Sequence, residues 1–135
     1  MDQLLSAIAN FAIYFFSGLI ALIIFKFCYA LVTPQDEWKL IKEDRNIAAS
    51  IGFGGGILGF AIALSGAISN SVSFVDFITW AVVALVAQTI AFAIVRFGFM
   101  PKIVERIQNE EISAGIMLGV VSVAVGMLNA ASMTY

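Results

Sequence analysis

The chain contains no histidine, a single cysteine (Cys28) and two prolines, and only 12% of its 135 residues are charged. Without histidine it lacks the commonest general base and the commonest metal ligand. A lone cysteine excludes an intrachain disulfide framework. The net charge of -2 leaves no basic patch of the kind nucleic acid requires, so nucleic acid is not an expected partner. With no carboxylate well inside an apolar run, no nucleophile–base pair or metal cluster can be assembled on paper. The expectation is a protein that is not an enzyme, has no catalytic, cofactor-binding or metal site, and uses no cofactor.

What is abundant is apolar sequence. A soluble domain is about a quarter charged, whereas this chain is 61% hydrophobic with a mean hydropathy of +1.01. Four apolar runs stand out: Leu4 to Val32, Ile47 to Ile68, Phe74 to Phe99 and Ile112 to Ala131. About 20 helical residues at 1.5 Å rise cross a hydrocarbon core of about 30 Å, and each run suffices. The predicted class is therefore all-α: a polytopic membrane protein with four transmembrane helices in one integral domain spanning residues 1–135.

All seven basic residues lie between Lys26 and Arg45 or between Arg96 and Arg106. The turn from Ser69 to Ser73 carries no charge. Basic residues gather at cytoplasmic span ends, which predicts cytoplasmic charged connections and both termini outside. Met1-Asp2-Gln3 has no basic n-region, so the first run does not read as a cleavable signal. The fourth run ends within a few residues of Tyr135, so no extramembrane domain is expected on this chain.

The two charged connections share a plan. Thr33-Pro34 opens one and Met100-Pro101 the other, and proline suits a first helical turn. An amphipathic stretch follows each (Trp38, Leu40, Ile41; Ile103, Val104, Ile107), then acids or amides, then a span. A 65-residue shift aligns Ile47 with Ile112, Ala49 with Ala114, Ile51 with Ile116 and Gly54 with Gly119. The expectation is two tandem two-helix repeats, about 1–68 and 69–135. They would be related by a pseudo-two-fold along the membrane normal, with amphipathic cytoplasmic connections between their helices.

The pattern Glu43-x-x-Asn46-x-Ala48-Ala49 leads into Gly52-x-Gly54-Gly55-Gly56-x-x-Gly59, and Glu110-Glu111-x-x-Ala114 with Gly126 and Asn129-Ala130 forms its second-half counterpart. Glu111 stands where Asn46 stands in the first half. On these residues nearly the whole chain resembles the bacterial inner-membrane family of domain of unknown function 350, the YjfL-like proteins. The resemblance implies a small multi-pass protein of the inner (plasma) membrane with no established activity.

Gly54 to Gly59 also spells Gly-x-Gly-x-x-Gly, but a dinucleotide site needs that motif between a strand and a helix, not inside a span. Small residues at helical spacing make ridges instead: Ala48, Gly52 and Gly56; Gly55, Gly59 and Ala63; Gly115 and Gly119; Ser122, Gly126 and Ala130. Such ridges let helix backbones approach in lipid. The second span should therefore pack on two neighbours. The competing reading is a locally unwound helix lining a path.

Ser17, Gln88, Thr89 and Ser122 lie at mid-span depth. They serve either as interhelical hydrogen bonds or as steps of a polar path. Glu43, Asp44, Glu110 and Glu111 stand at the cytoplasmic entrances of the second and fourth spans. There they either complement helix dipoles, by about 0.3–1 kcal/mol each, or form an acidic ring in an oligomer. Lys26 and Arg96 are expected to snorkel or to pair with those acids, and Trp38 to anchor at the interface. Basic and acidic residues nearly balance in each connection, which does not suit an anionic-lipid recruitment patch. Expected partners are membrane lipid, further copies of the chain, and a cytoplasmic or membrane protein. Two functions compete: a membrane scaffold or accessory subunit, and a small oligomeric ion channel or transporter.

Overall fold

A computed structural model describes residues 2–33 and 37–133. The described residues are overwhelmingly helical. Helix α1 is Asp2–Val32, α2 Glu37–Lys42, α3 Ile47–Asn70, α4 Phe74–Ile94, α5 Ile103–Gln108 and α6 Ile112–Ser132. A π-helical turn, Val95–Phe99, prolongs α4, so the third span runs Phe74–Phe99. Four helices are long and apolar enough to cross a membrane. At 24 residues α3 extends about 36 Å, enough for the bilayer core. Pro34 lies outside the described residues; Pro101 occupies the turn just before α5.

Burial ranks the spans. Half of the apolar window of α3 is inside the protein, against 6% of that of α1. Leu4, Phe11, Ile20 and Leu31 of α1 all face outward, and a bilayer is the solvent such a surface needs. Helix α3 is the centre. It lies parallel to α6, with Ala48 beside Gly115 near one end and Gly66 beside Ala130 near the other. Helix α4 packs on both of them, and α1 leans on α3 and α4 through Phe25, Tyr29 and Tyr14.

Two clusters fill the interior. Phe25, Tyr29, Phe53, Phe60 and Phe77 join α1, α3 and α4, with the Phe25 and Phe60 rings stacked at 4.9 Å. Phe92, Val95, Ile103, Ile107 and Leu118 join α4, α5 and α6. The short α5 buries Ile103 and Ile107 on one face and exposes Glu105 and Gln108 on the other.

The entrances to α3 and α6 are alike. Arg45 (φ 53°) and Glu110 (φ 60°) both adopt the left-handed backbone conformation. Each is followed by an extended N-cap residue, Asn46 or Glu111, and then by a helix starting at Ile47 or Ile112. These positions stand 65 residues apart. Across the α3–α6 seam the facing pairs fall on either side of that spacing: Gly55 faces Gly119 and Gly66 faces Ala130, 64 apart, while Ala48 faces Gly115 and Gly59 faces Gly126, 67 apart.

Candidate functional site

The seam between α3 and α6 is built from missing side chains. A Cβ added to Gly55 would lie 2.7 Å from the Gly119 carbonyl oxygen, and one on Gly126 2.6 Å from the Gly59 carbonyl carbon. A Cβ on Gly115 would come within 2.7 Å of the Ala48 Cα, and one on Gly119 within 2.9 Å of the Ile51 carbonyl oxygen. These neighbours are backbone, which cannot step aside. In lipid, where there is no hydrophobic drive between helices, such close approach supplies the packing energy.

Two further glycines of α3 meet side chains. Gly52 faces Leu118 of α6, and Gly56 turns away from the seam to receive the rings of Phe25 and Tyr29. The two sequence ridges on α3 are therefore regrouped. Ala48, Gly52, Gly55 and Gly59 all serve α6, whereas Gly56 serves α1. Gly66, which pattern reading passed over, extends the seam against Ala130.

The mid-span polar residues divide. Gln88 is buried on α4, and its amide Nε2 donates to the Ser122 carbonyl at 3.1 Å. Gly59 makes room for it, since a Cβ there would sit 2.7 Å from that nitrogen. The Gln88 Oε1 is buried without a hydrogen-bond partner. Gln88 and Ser122 are thus brought together. Thr89 instead bonds its own helix at the Leu85 carbonyl, and Ser17 lines a cavity of about 240 Å³ with Phe60, Phe77 and Leu85. A second carboxamide reinforces the α4–α6 contact: Asn129 donates to the Ala84 carbonyl at 3.3 Å.

At the charged end, Asn46 is buried. Its Oδ1 accepts from the Ala49 amide at 2.9 Å and caps α3, while its Nδ2 donates to the Ile107 carbonyl at 2.7 Å. One side chain thereby ties the two connections together. Its position immediately before an apolar helix is a capping signal, though nothing in the sequence pointed to Ile107. Glu111, its counterpart, makes no capping bond and pairs with Arg106 at 3.2 Å. Glu110 reaches across to the start of α3, accepting from the Ile47 amide at 3.4 Å. Glu43 and Asp44 are exposed.

Lys26 and Arg96 form no ion pair with Glu43, Asp44, Glu110 or Glu111. The Lys26 ammonium stands over the Trp38 ring at 4.1 Å and Arg96 over Phe97 at 5.4 Å. Aromatic faces are the cheaper partners at this depth, because a cation–π contact needs no second desolvated charge.

Residues 3–133 match the family model of the Domain of Unknown Function (DUF350). The chain is 44% identical over 133 residues to the UPF0719 inner membrane protein YjfL of Escherichia coli (strain K12), covering 98% of this chain and 99% of the relative. It is 30% identical over 126 residues to the UPF0719 transmembrane protein YshE of Bacillus subtilis (strain 168), covering 92% of each. No solved structure matches the chain. With a family model spanning almost its whole length and relatives named as membrane proteins, this four-helix chain belongs to the DUF350 family.

Proposed function

We propose that this protein is a membrane-embedded scaffold or accessory subunit, acting as a homo-oligomer and not as an enzyme. Both termini lie outside and the charged connections face the cytoplasm. The observation that carries this reading is the α3–α6 seam, where Gly55, Gly59, Gly119 and Gly126 bring two backbones into contact along the bundle centre. A path for ions would have to open the tightest-packed line in the molecule. The polar groups within the spans support the same view: Gln88 and Asn129 spend their amide nitrogens on interhelical bonds.

Assembly has a natural surface on the outer side of the seam. Ile51, Gly54, Leu58, Ile116, Val120 and Val123 line a shallow groove of about 400 Å³ there, and a Cβ on Gly54 would meet nothing within 4 Å. The reading also treats 1–68 and 69–135 as two copies of a two-helix unit. The matched left-handed residues Arg45 and Glu110 support that duplication.

The second reading, an oligomeric channel or transporter, is favoured by one observation: the buried, unpartnered Oε1 of Gln88. A single experiment separates the two. Purified protein in liposomes should stay impermeable to small cations under both voltage signs, while its mass in native-like nanodiscs exceeds that of one chain. A cation flux that falls in Gln88→Leu would replace the scaffold by the channel, and a monomeric mass would remove the oligomer.

A further inference from the structure

We propose that Lys26, Trp38 and Lys42 form a binding site for the phosphate-bearing headgroup of an anionic phospholipid. Trp38 and Lys42 are four residues apart on α2 and so share a face, whereas Lys26 comes from α1. The fold brings both ammonium groups to one indole, at 4.1 Å and 5.6 Å from its ring centroid. Trp38 is itself held from behind, edge-on to Phe53 of α3 at 6.3 Å. Beside the ring lies an open cavity of about 240 Å³ lined by Trp38, Lys39, Lys42 and Glu43.

Two like charges drawn to one ring repel each other unless an anion accompanies them. Among the described residues the one ion pair is Arg106–Glu111, and neither Lys26 nor Lys42 has a described carboxylate within 4.0 Å. Counted along the chain this connection is balanced, but Glu43 and Asp44 form no ion pair with either lysine. Depth selects the ligand. Lys26 follows the long apolar run of α1 and is flanked by the buried Phe25 and the exposed Phe27, so its ammonium emerges at headgroup level. A half-exposed tryptophan is the side chain that settles at that level. A basic pocket between membrane helices at the cytoplasmic face suits a lipid phosphate, with the ammonium protons not aimed at the ring as donors. The site stands whether the protein is a scaffold or a channel.

The test is native mass spectrometry of the whole chain with phosphatidylglycerol, phosphatidylcholine or inorganic phosphate added. Phosphatidylglycerol should bind in a saturable one-lipid step that the other two do not reproduce. Lys26→Gln and Lys42→Gln should each weaken it about fivefold, corresponding to about 1 kcal/mol per interfacial lysine. Lys102→Gln, which removes the same charge from the other connection, should leave it unchanged. Trp38 emission in a Trp80→Phe background should shift with phosphatidylglycerol, reporting the site independently of stability. Equal binding of phosphatidylcholine, equal competition by inorganic phosphate, or an equal loss in Lys102→Gln would overturn the proposal.

Discussion

Gly59 and Gly126 meet back to back. A Cβ on Gly126 would fall 2.6 Å from the Gly59 carbonyl carbon, while the Cβ position of Gly59 lies 2.8 Å from the Ser122 carbonyl carbon and 2.7 Å from the Gln88 amide nitrogen. One residue therefore closes the α3–α6 seam and admits the side chain that ties α4 to it.

Gly59→Leu should be the most damaging of the seam variants. Overpacking against backbone typically costs 1–3 kcal/mol, occasionally more, and here two helices would have to part. The expected outcome is a large drop in melting temperature in detergent or loss of folded protein. Gly54→Leu is the internal control: its side chain enters open space, so the single-chain fold should keep its melting temperature. A native-like Tm in Gly59→Leu would show that the seam is not as close as described.

If the groove over Gly54 is the assembly surface, Gly54→Leu should change the oligomer mass in nanodiscs while leaving the melting temperature alone. Retention of both would move the assembly surface elsewhere on the molecule.

Gln88→Leu should change stability little, by about 1 kcal/mol or less. It removes an interhelical bond worth roughly 0.6 kcal/mol on average, but it also removes the buried Oε1 that has no partner, a group that is costly in an apolar setting. A destabilisation of several kcal/mol would mean that Oε1 is engaged after all.

Asn46→Ala should cost more than Gln88→Leu despite its position at the end of the bundle. The cap is worth about 1 kcal/mol, and the bond to the Ile107 carbonyl, which would keep its Glu110 amide donor, adds about 0.5–1.5 kcal/mol. The expected signature is faster hydrogen exchange at the start of α3 together with α5, because Asn46 joins them. Faster exchange confined to α3 would show that the link to Ile107 contributes nothing.

Arg45→Gly should be neutral to stabilising by up to about 1 kcal/mol. A left-handed conformation costs a non-glycine residue about 1–2 kcal/mol, offset in part by the greater freedom of glycine when unfolded. Removing a cation next to the N-terminus of α3 acts in the same direction. A lower melting temperature would mean that the Arg45 side chain carries a contact worth more than the strain.

The four spans were legible in the sequence because crossing a bilayer is a local requirement. A run such as Ile47 to Ile68 needs only length and apolarity, and both are properties of consecutive residues. The Asn46 cap was not read from the sequence, where Glu43 and Asp44 were expected to complement the α3 dipole instead. Partner choice was not legible either. Gly52, Gly55 and Gly56 are near neighbours in sequence, yet they meet Leu118, Gly119 and the Phe25 ring respectively. Each step of one residue turns the helix by about 100°, and the sequence does not say which helix waits at which angle. Likewise, Lys26 could be paired on paper with any nearby acid, and only the docking of α2 on α3 set Trp38 beside it. The loops repeat at 65 residues and the seam contacts fall on either side of that spacing; which face of each helix turns into the seam is a matter of rotation, which tertiary packing alone decides.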